Sequence, residues 1–167
     1  MPTNRPMLLL ALLLMICVGV GALANALFPS GSWYAGQVVK PSWTPPDWVF
    51  APVWTLIYVL MAVAMWLVAM TPPTAARAQA TALWVGQLVL NFLWPGIFFG
   101  LHRTGWALLE LGLLWIAIAA TLFRFFELRP LAGWLMFPYL LWVSFAWLLN
   151  DAIWRLNGGG IGRLFGG

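Results

Sequence analysis

The 167 residues are 63% hydrophobic and only 7% charged, against roughly 25% charged in an average soluble domain, which excludes a water-soluble globule with a mixed-sign charged shell. The net charge of +4 comes from Lys and Arg residues scattered singly, so a basic patch for nucleic acid is excluded too. The single cysteine, Cys17, excludes an internal disulfide framework, a cysteine zinc site and a CxxC redox pair, and reads as a small core residue.

A bilayer core about 30 Å thick takes roughly 20 helical residues to cross. Charges and Pro/Gly clusters cut the chain into five such pieces, an all-α bundle of five transmembrane helices in one domain over 1–156. The first span is predicted over about 7–28. Arg5, the apolar run behind it and the small residues Ala22-Leu23-Ala24-Asn25-Ala26 also fit a cleaved secretory signal, which would leave four helices. The connection from Pro29 to Pro46 is long, yet Trp33, Tyr34, Trp43 and Trp48 give it apolar surface to bury, so it is predicted to fold onto the bundle as a lid. Thr44-Pro45-Pro46-Asp47 reads as a helix start with Thr44 as the cap.

The remaining spans are predicted over about 47–70, 81–100, 105–126 and 131–154. Short connections between them place consecutive helices antiparallel and adjacent. The tail from 157 to 167 is Gly-rich and reads as flexible. The positive-inside rule is silent on orientation: Arg5, Arg77, Arg124 and Arg129 fall on one side, and Lys40, Arg103, Arg155 and Arg163 on the other. The many Trp residues suit the bilayer interface.

Within hydrocarbon the few polar residues are the informative ones. At 100° per residue, Gln87, Asn91, Trp94 and Phe98 share one arc of the third span, and Ala82, Gly86, Gly96 and Gly100 share another almost opposite. The small arc lets helix backbones approach closely, and serves either an internal neighbour or a second copy of the chain; Pro95 is expected to kink the helix. Trp54, Tyr58, Met61 and Met65 align on the second span, and Pro138, Trp142, Phe145 and Leu149 on the fifth. Converging aromatic stripes with a few amides describe a site for a flat, largely apolar ligand, although periodicity alone favours ordinary core packing.

Glu110 is expected to pair with His102 or Arg103, and Asp151 with Arg155 four residues on. No metal cluster, phosphate-cradling loop or nucleophile with its base is visible.

Taken together, Trp33-Tyr34, Lys40-Pro41-Ser42-Trp43 with Pro45-Pro46 and Trp48, Pro52-Val53-Trp54 with Tyr58, QLVLNFLWPGIFFG over 87–100, Gly105-Trp106-Ala107-Leu108, and Pro138-Tyr139-Leu140 through Leu149-Asn150 have a specific order and spacing. In these the chain resembles the translocator protein family, the tryptophan-rich sensory proteins or peripheral-type benzodiazepine receptors. The resemblance implies a five-helix bundle, usually homodimeric, that binds protoporphyrin IX, haem and benzodiazepine-type ligands beneath the first loop and needs no obligatory cofactor. It implies transport, sequestration or stress sensing, or light-dependent porphyrin breakdown with Trp54 and Trp142 beside the ring, or an assembly role with an incidental pocket.

Position by position, the family's pocket falls on Trp54, Tyr58, Asn91, Trp94, Trp142 and Ala146, with Gln87 nearby and Trp33, Lys40 and Trp43 in the lid; Phe98 and Phe145 join from the stripes above. Lys40 is the expected partner of a porphyrin propionate. The sterol motif of animal members needs a Tyr where this chain has Asp151, which points to a bacterial-type member in a cell membrane rather than the mitochondrial outer membrane. The Arg124–Leu128 segment fits the reversed motif by chance.

Overall fold

A computed structural model describes residues 4–159. Its helices are α1 (Asn4–Leu27), α2 (Gly31–Gly36), α3 (Phe50–Ala69), α4 (Ala75–Pro95), α5 (Thr104–Leu128) and α6 (Pro130–Leu156). A 3-10 turn, Asp47–Val49, leads into α3, and a π-helical segment, Gly96–Gly100, extends α4. Among the described residues five helices are long and apolar enough to cross a membrane, and α2 lies in the first connection. Leu8, Met15, Leu56, Phe123 and Leu131 stay exposed on the outside, as lipid contact requires. Trp48, Trp106 and Trp134 are exposed close to helix starts, where indole suits the interface.

The five long helices close a ring. α1 packs on α3 and α4, α3 on α6, α6 on α5, and α5 on α4. Consecutive helices are neighbours for α4/α5 and α5/α6, as expected, but α3 and α4 touch only sparingly. The first helix enters between them, because a short turn fixes where two helix ends meet and not which flanks they share. That turn is held by Arg77, whose Nη1 donates to the carbonyls of Thr71 (2.6 Å) and Ala69 (3.1 Å), satisfying acceptors at the end of α3. Thr74 caps α4 by accepting from the Arg77 N–H (3.2 Å). This helix starts six residues before its predicted span, since AARAQA at 75–80 is strongly helix-forming without being apolar.

α1 is fully part of the bundle. Leu13 and Cys17 are buried in the main core, the Trp66 indole donates to the Pro6 carbonyl (2.9 Å), and the Phe28 ring sits against Gly96 and Gly100. Those two glycines therefore serve an internal neighbour: a Cβ at Gly96 would lie 3.2 Å from Phe28 and one at Gly100 3.0 Å. Ala82 and Gly86 are exposed, and nothing lies within 4 Å of a Cβ built on Gly86.

Pro95 cannot donate to the Asn91 carbonyl, and the ladder widens beyond it, with the Leu101 N–H bonding Gly96 O (2.9 Å). The segment is closed by His102 in the left-handed region (φ 55°) and by the Arg103 N–H on Ile97 O (3.1 Å). A single residue, Arg129, then separates α5 from α6, with Pro130 at the first helical position.

The first connection folds onto the end of the ring. Tyr34 on α2 packs edge-on against Phe98 and Phe99, and Trp33 against Phe98. The Thr44 hydroxyl donates to Pro41 O (2.7 Å) and stabilises a turn instead of capping; the 3-10 helix starts after Pro46 with no side-chain cap. The loop is latched by Asn157, whose Oδ1 accepts from the Val39 N–H (3.0 Å) while its Nδ2 donates to Val39 O (2.9 Å).

Asn157 itself belongs to an ordered helix stop. Gly158 has φ 80°, and the Gly159 N–H bonds Trp154 O (2.8 Å). The rest of the tail read as flexible, 160–167, lies outside the described residues. Asn157→Ala removes both latch bonds at about 0.5–1.5 kcal/mol each. Amide exchange over Gln37–Thr44 is expected to quicken about fivefold or more while the cores of α5 and α6 keep their protection.

Candidate ligand site

A cavity of about 520 Å³ lies inside the ring beneath α2, within the range of roughly 300–1,000 Å³ typical of small-molecule sites. Each long helix contributes to its wall. Trp54 and Tyr58 come from α3, Asn91 and Trp94 from α4, Phe98 and Phe99 from the π segment, Leu111 and Leu114 from α5, and Trp142, Val143 and Ala146 from α6. Val18, Gly21, Ala22 and Asn25 of α1 complete it. The aromatic rings brace one another: Trp94 stacks on Phe98 (4.9 Å, 27°), Trp54 leans on Tyr58 (5.7 Å), and Trp142 meets Phe50 edge-on (5.8 Å).

The Tyr58 hydroxyl and the Asn91 and Asn150 amides of the wall are hydrogen-bonded, while the Trp142 indole N–H has no partner among the described residues. Tyr58 Oη donates to Asn91 Oδ1 (2.7 Å), and Asn91 Nδ2 donates to the Tyr139 hydroxyl (2.9 Å), tying α3, α4 and α6 through one amide. The Trp94 indole donates to Asn150 Oδ1 (3.3 Å), and Asn150 Nδ2 donates to the Thr104 carbonyl (2.8 Å). With these groups satisfied, the interior offers flat aromatic and aliphatic faces, suited to a planar apolar guest.

Of the predicted ligand residues, Trp54, Tyr58, Asn91, Trp94, Phe98, Trp142 and Ala146 line this cavity. Gln87 does not; it is buried one turn further along α4, its Nε2 bonded to Trp84 O (2.9 Å). Phe145 lies to the side, in contact with Trp43 (5.9 Å) and Trp142 (5.4 Å). Of the stripe expected on the last span, Trp142 and Leu149 line the cavity while Pro138 is exposed and Phe145 lies off the wall; the inward face is broader than the stripe and also takes in Met136, Tyr139, Val143 and Asn150. Met61 and Met65 are plain core. In the lid, Trp33 stacks on His102 (4.1 Å, 13°), and Lys40 Nζ sits 4.2 Å above the Tyr34 ring, a cation–π contact off the cavity wall.

The loop residues on the wall are Ser30, Tyr34 and Asp47. Burial, and then the Asp47 charge, push the Tyr34 phenol above its usual range. Glu110 does not pair with His102 or Arg103. It is buried on α5, and neither carboxyl oxygen has a hydrogen-bond partner among the described residues. Asp151 and Arg155 do pair (2.9 Å). No group of three metal-ligating side chains occurs among the described residues.

Sequence reasoning missed the contribution of α1, Asp47, and the Tyr139 and Asn150 anchors. Gly21 was the available signal, standing against Tyr58 where any Cβ would collide with the ring. Gly21→Val is expected to cost about 1–3 kcal/mol by overpacking, a fall of several degrees in the detergent Tm. Gly19→Val, at a position with nothing within 4 Å, serves as the control and is expected to leave Tm nearly unchanged.

A lidded aromatic cavity inside five membrane-spanning helices defines a multi-pass membrane protein built around an interior cavity. The profile of the TspO/MBR family matches residues 11–155, and the chain belongs to that family. It is 40% identical over 156 residues to the tryptophan-rich protein TspO of Chlorobaculum tepidum (92% of this chain, 99% of that protein). It is 38% identical over 152 residues to protein CrtK of Rhodobacter capsulatus (90% and 94%). With the translocator protein of Homo sapiens it shares 41% over 145 residues (84% and 85%).

Proposed function

We propose that this membrane protein binds tetrapyrroles of the protoporphyrin IX or haem type, and benzodiazepine-type ligands, in the cavity beneath its first loop, and serves their sequestration, transport or sensing. The observation that carries the reading is the wall itself: Trp54, Trp94, Phe98 and Trp142 around about 520 Å³, with the neighbouring amides already hydrogen-bonded. Such a space rewards a planar aromatic guest through stacking and gives little to a small polar one. The latched loop is the gate through which the occupancy of the cavity is read or changed.

Trp54 and Trp142 on one cavity also suit a photo-oxidative reading, in which a bound porphyrin is degraded in light. Titration of the purified protein with protoporphyrin IX, in darkness and under illumination, separates the two. Saturable quenching of Trp fluorescence without a new absorbing product is expected; a product that requires the protein and is lost in Trp54→Phe and Trp142→Phe would favour the enzyme. A homodimer through the Ala82/Gly86 stripe of α4, and residence in a bacterial cell membrane, belong to the same reading. The exposure of that stripe and the Asp151–Arg155 pair in place of a sterol motif support them.

A further inference from the structure

The wall of the cavity carries one formally charged side chain, and it is an acid. Asp47, the first residue of the 3-10 turn before α3, lines the cavity and is exposed at its loop end, and no Lys, Arg or His lines the cavity with it. Neither ion pair among the described residues uses Asp47, since these join Arg124 to Glu127 and Arg155 to Asp151. Lys40, the basic residue of the loop, is held over the Tyr34 ring.

The lining residues that are exposed mark where the space opens. They are Val18, Ala22 and Asn25 on α1, Ser30 and Asp47 in the loop, and Ala51 and Thr55 at the start of α3. Val18, Ala22, Asn25, Ala51 and Thr55 lie within membrane spans. A ligand with an apolar ring and charged substituents must therefore leave those substituents at the loop end of the opening, beside Ser30 and Asp47, because hydrocarbon and the aromatic interior both make an unpaired charge prohibitive. Asp47 therefore faces whatever charge the ligand carries.

We propose that Asp47 makes the mouth of the cavity select against ligand carboxylates, so that among tetrapyrroles the preferred occupants are those whose acid groups are esterified or otherwise uncharged. The proposal rests on the tetrapyrrole reading of the cavity and narrows it. A carboxylate brought beside Asp47 at a partly solvated rim meets a like charge screened by water and salt, a moderate effect on the order of three- to tenfold in affinity.

Protoporphyrin IX and its dimethyl ester, titrated against wild type, Asp47→Asn and Asp47→Lys in the same detergent, form the test. For each porphyrin the ratio of variant to wild-type affinity cancels the different partitioning of diacid and ester into micelles. The diacid is expected to gain roughly three- to tenfold over the ester in Asp47→Asn and more in Asp47→Lys, with the gain shrinking as salt is raised. A diacid-to-ester ratio that is the same in all three proteins overturns the selectivity while leaving tetrapyrrole binding in place. Absence of saturable binding of either porphyrin overturns both.

Discussion

Asn91→Leu is expected to lower the thermal stability of the bundle more than any other single change in the cavity wall. The side chain is nearly isosteric, so the loss is polar: Asn91 accepts from Tyr58 (2.7 Å) and donates to Tyr139 (2.9 Å). Both phenols are buried, and Tyr139 has no exposed surface at all. Interhelical hydrogen bonds in membranes contribute about 0.6–1.7 kcal/mol each, and an unpaired buried hydroxyl adds a desolvation cost of about 1–3 kcal/mol. A total of roughly 2–6 kcal/mol follows, a drop on the order of 4–24 °C in a protein of this size. Scanning fluorimetry in detergent measures it. Tyr58→Phe in the Asn91→Leu background is expected to cost less than it does alone, because the hydroxyl it removes has already lost its acceptor; strictly additive losses would show that the three groups do not act as one network.

Trp142→Ala is expected to give the largest loss of ligand affinity with the least damage to the scaffold. The indole lines the cavity but makes no hydrogen bond with the described residues, whereas the Trp94 indole anchors α6 through Asn150. Stacking of a planar ligand on an aromatic side chain contributes about 1–3 kcal/mol, so protoporphyrin IX affinity is expected to fall roughly 5- to 150-fold. Trp142→Phe keeps a stacking face and is expected to lose less. Trp94→Ala should differ in kind, losing both affinity and stability, which isothermal titration together with a melting curve distinguishes.

The five spans were legible because the bilayer imposes a length and a polarity that few other folds meet, and charges and Pro/Gly clusters mark each end. The positions of Trp54, Tyr58, Asn91 and Trp94 on the cavity wall were legible too, since polar and aromatic residues in hydrocarbon must find partners or a cavity. The place of α1 was not. Its outer residues Leu8 and Met15 are as apolar as buried Leu13, so no periodic contrast marks an inward face, and Gly21 reveals its function only against Tyr58. The third span showed its small arc plainly, yet Gly96 and Gly100 seat Phe28, a residue that follows α1 and that spacing within one helix cannot pair. On α6 the predicted stripe is too narrow: Trp142 and Leu149 do line the cavity, but residues about 100° further round the helix, Tyr139, Val143 and Ala146, face inward too, and Phe145 does not reach the wall. Lys40 was assigned by its charge, while a ring in its own loop engages it.

Ala146 gives the most direct test that the ligand occupies this cavity. It lines the space from α6 beside Trp142, and Ala146→Phe would add a ring to the open volume rather than to packed core. A saturation titration with protoporphyrin IX, run beside a melting curve, is expected to show binding abolished or weakened at least tenfold with Tm held or raised. Wild-type affinity and stoichiometry in a well-folded Ala146→Phe protein would place the ligand elsewhere and contradict the account.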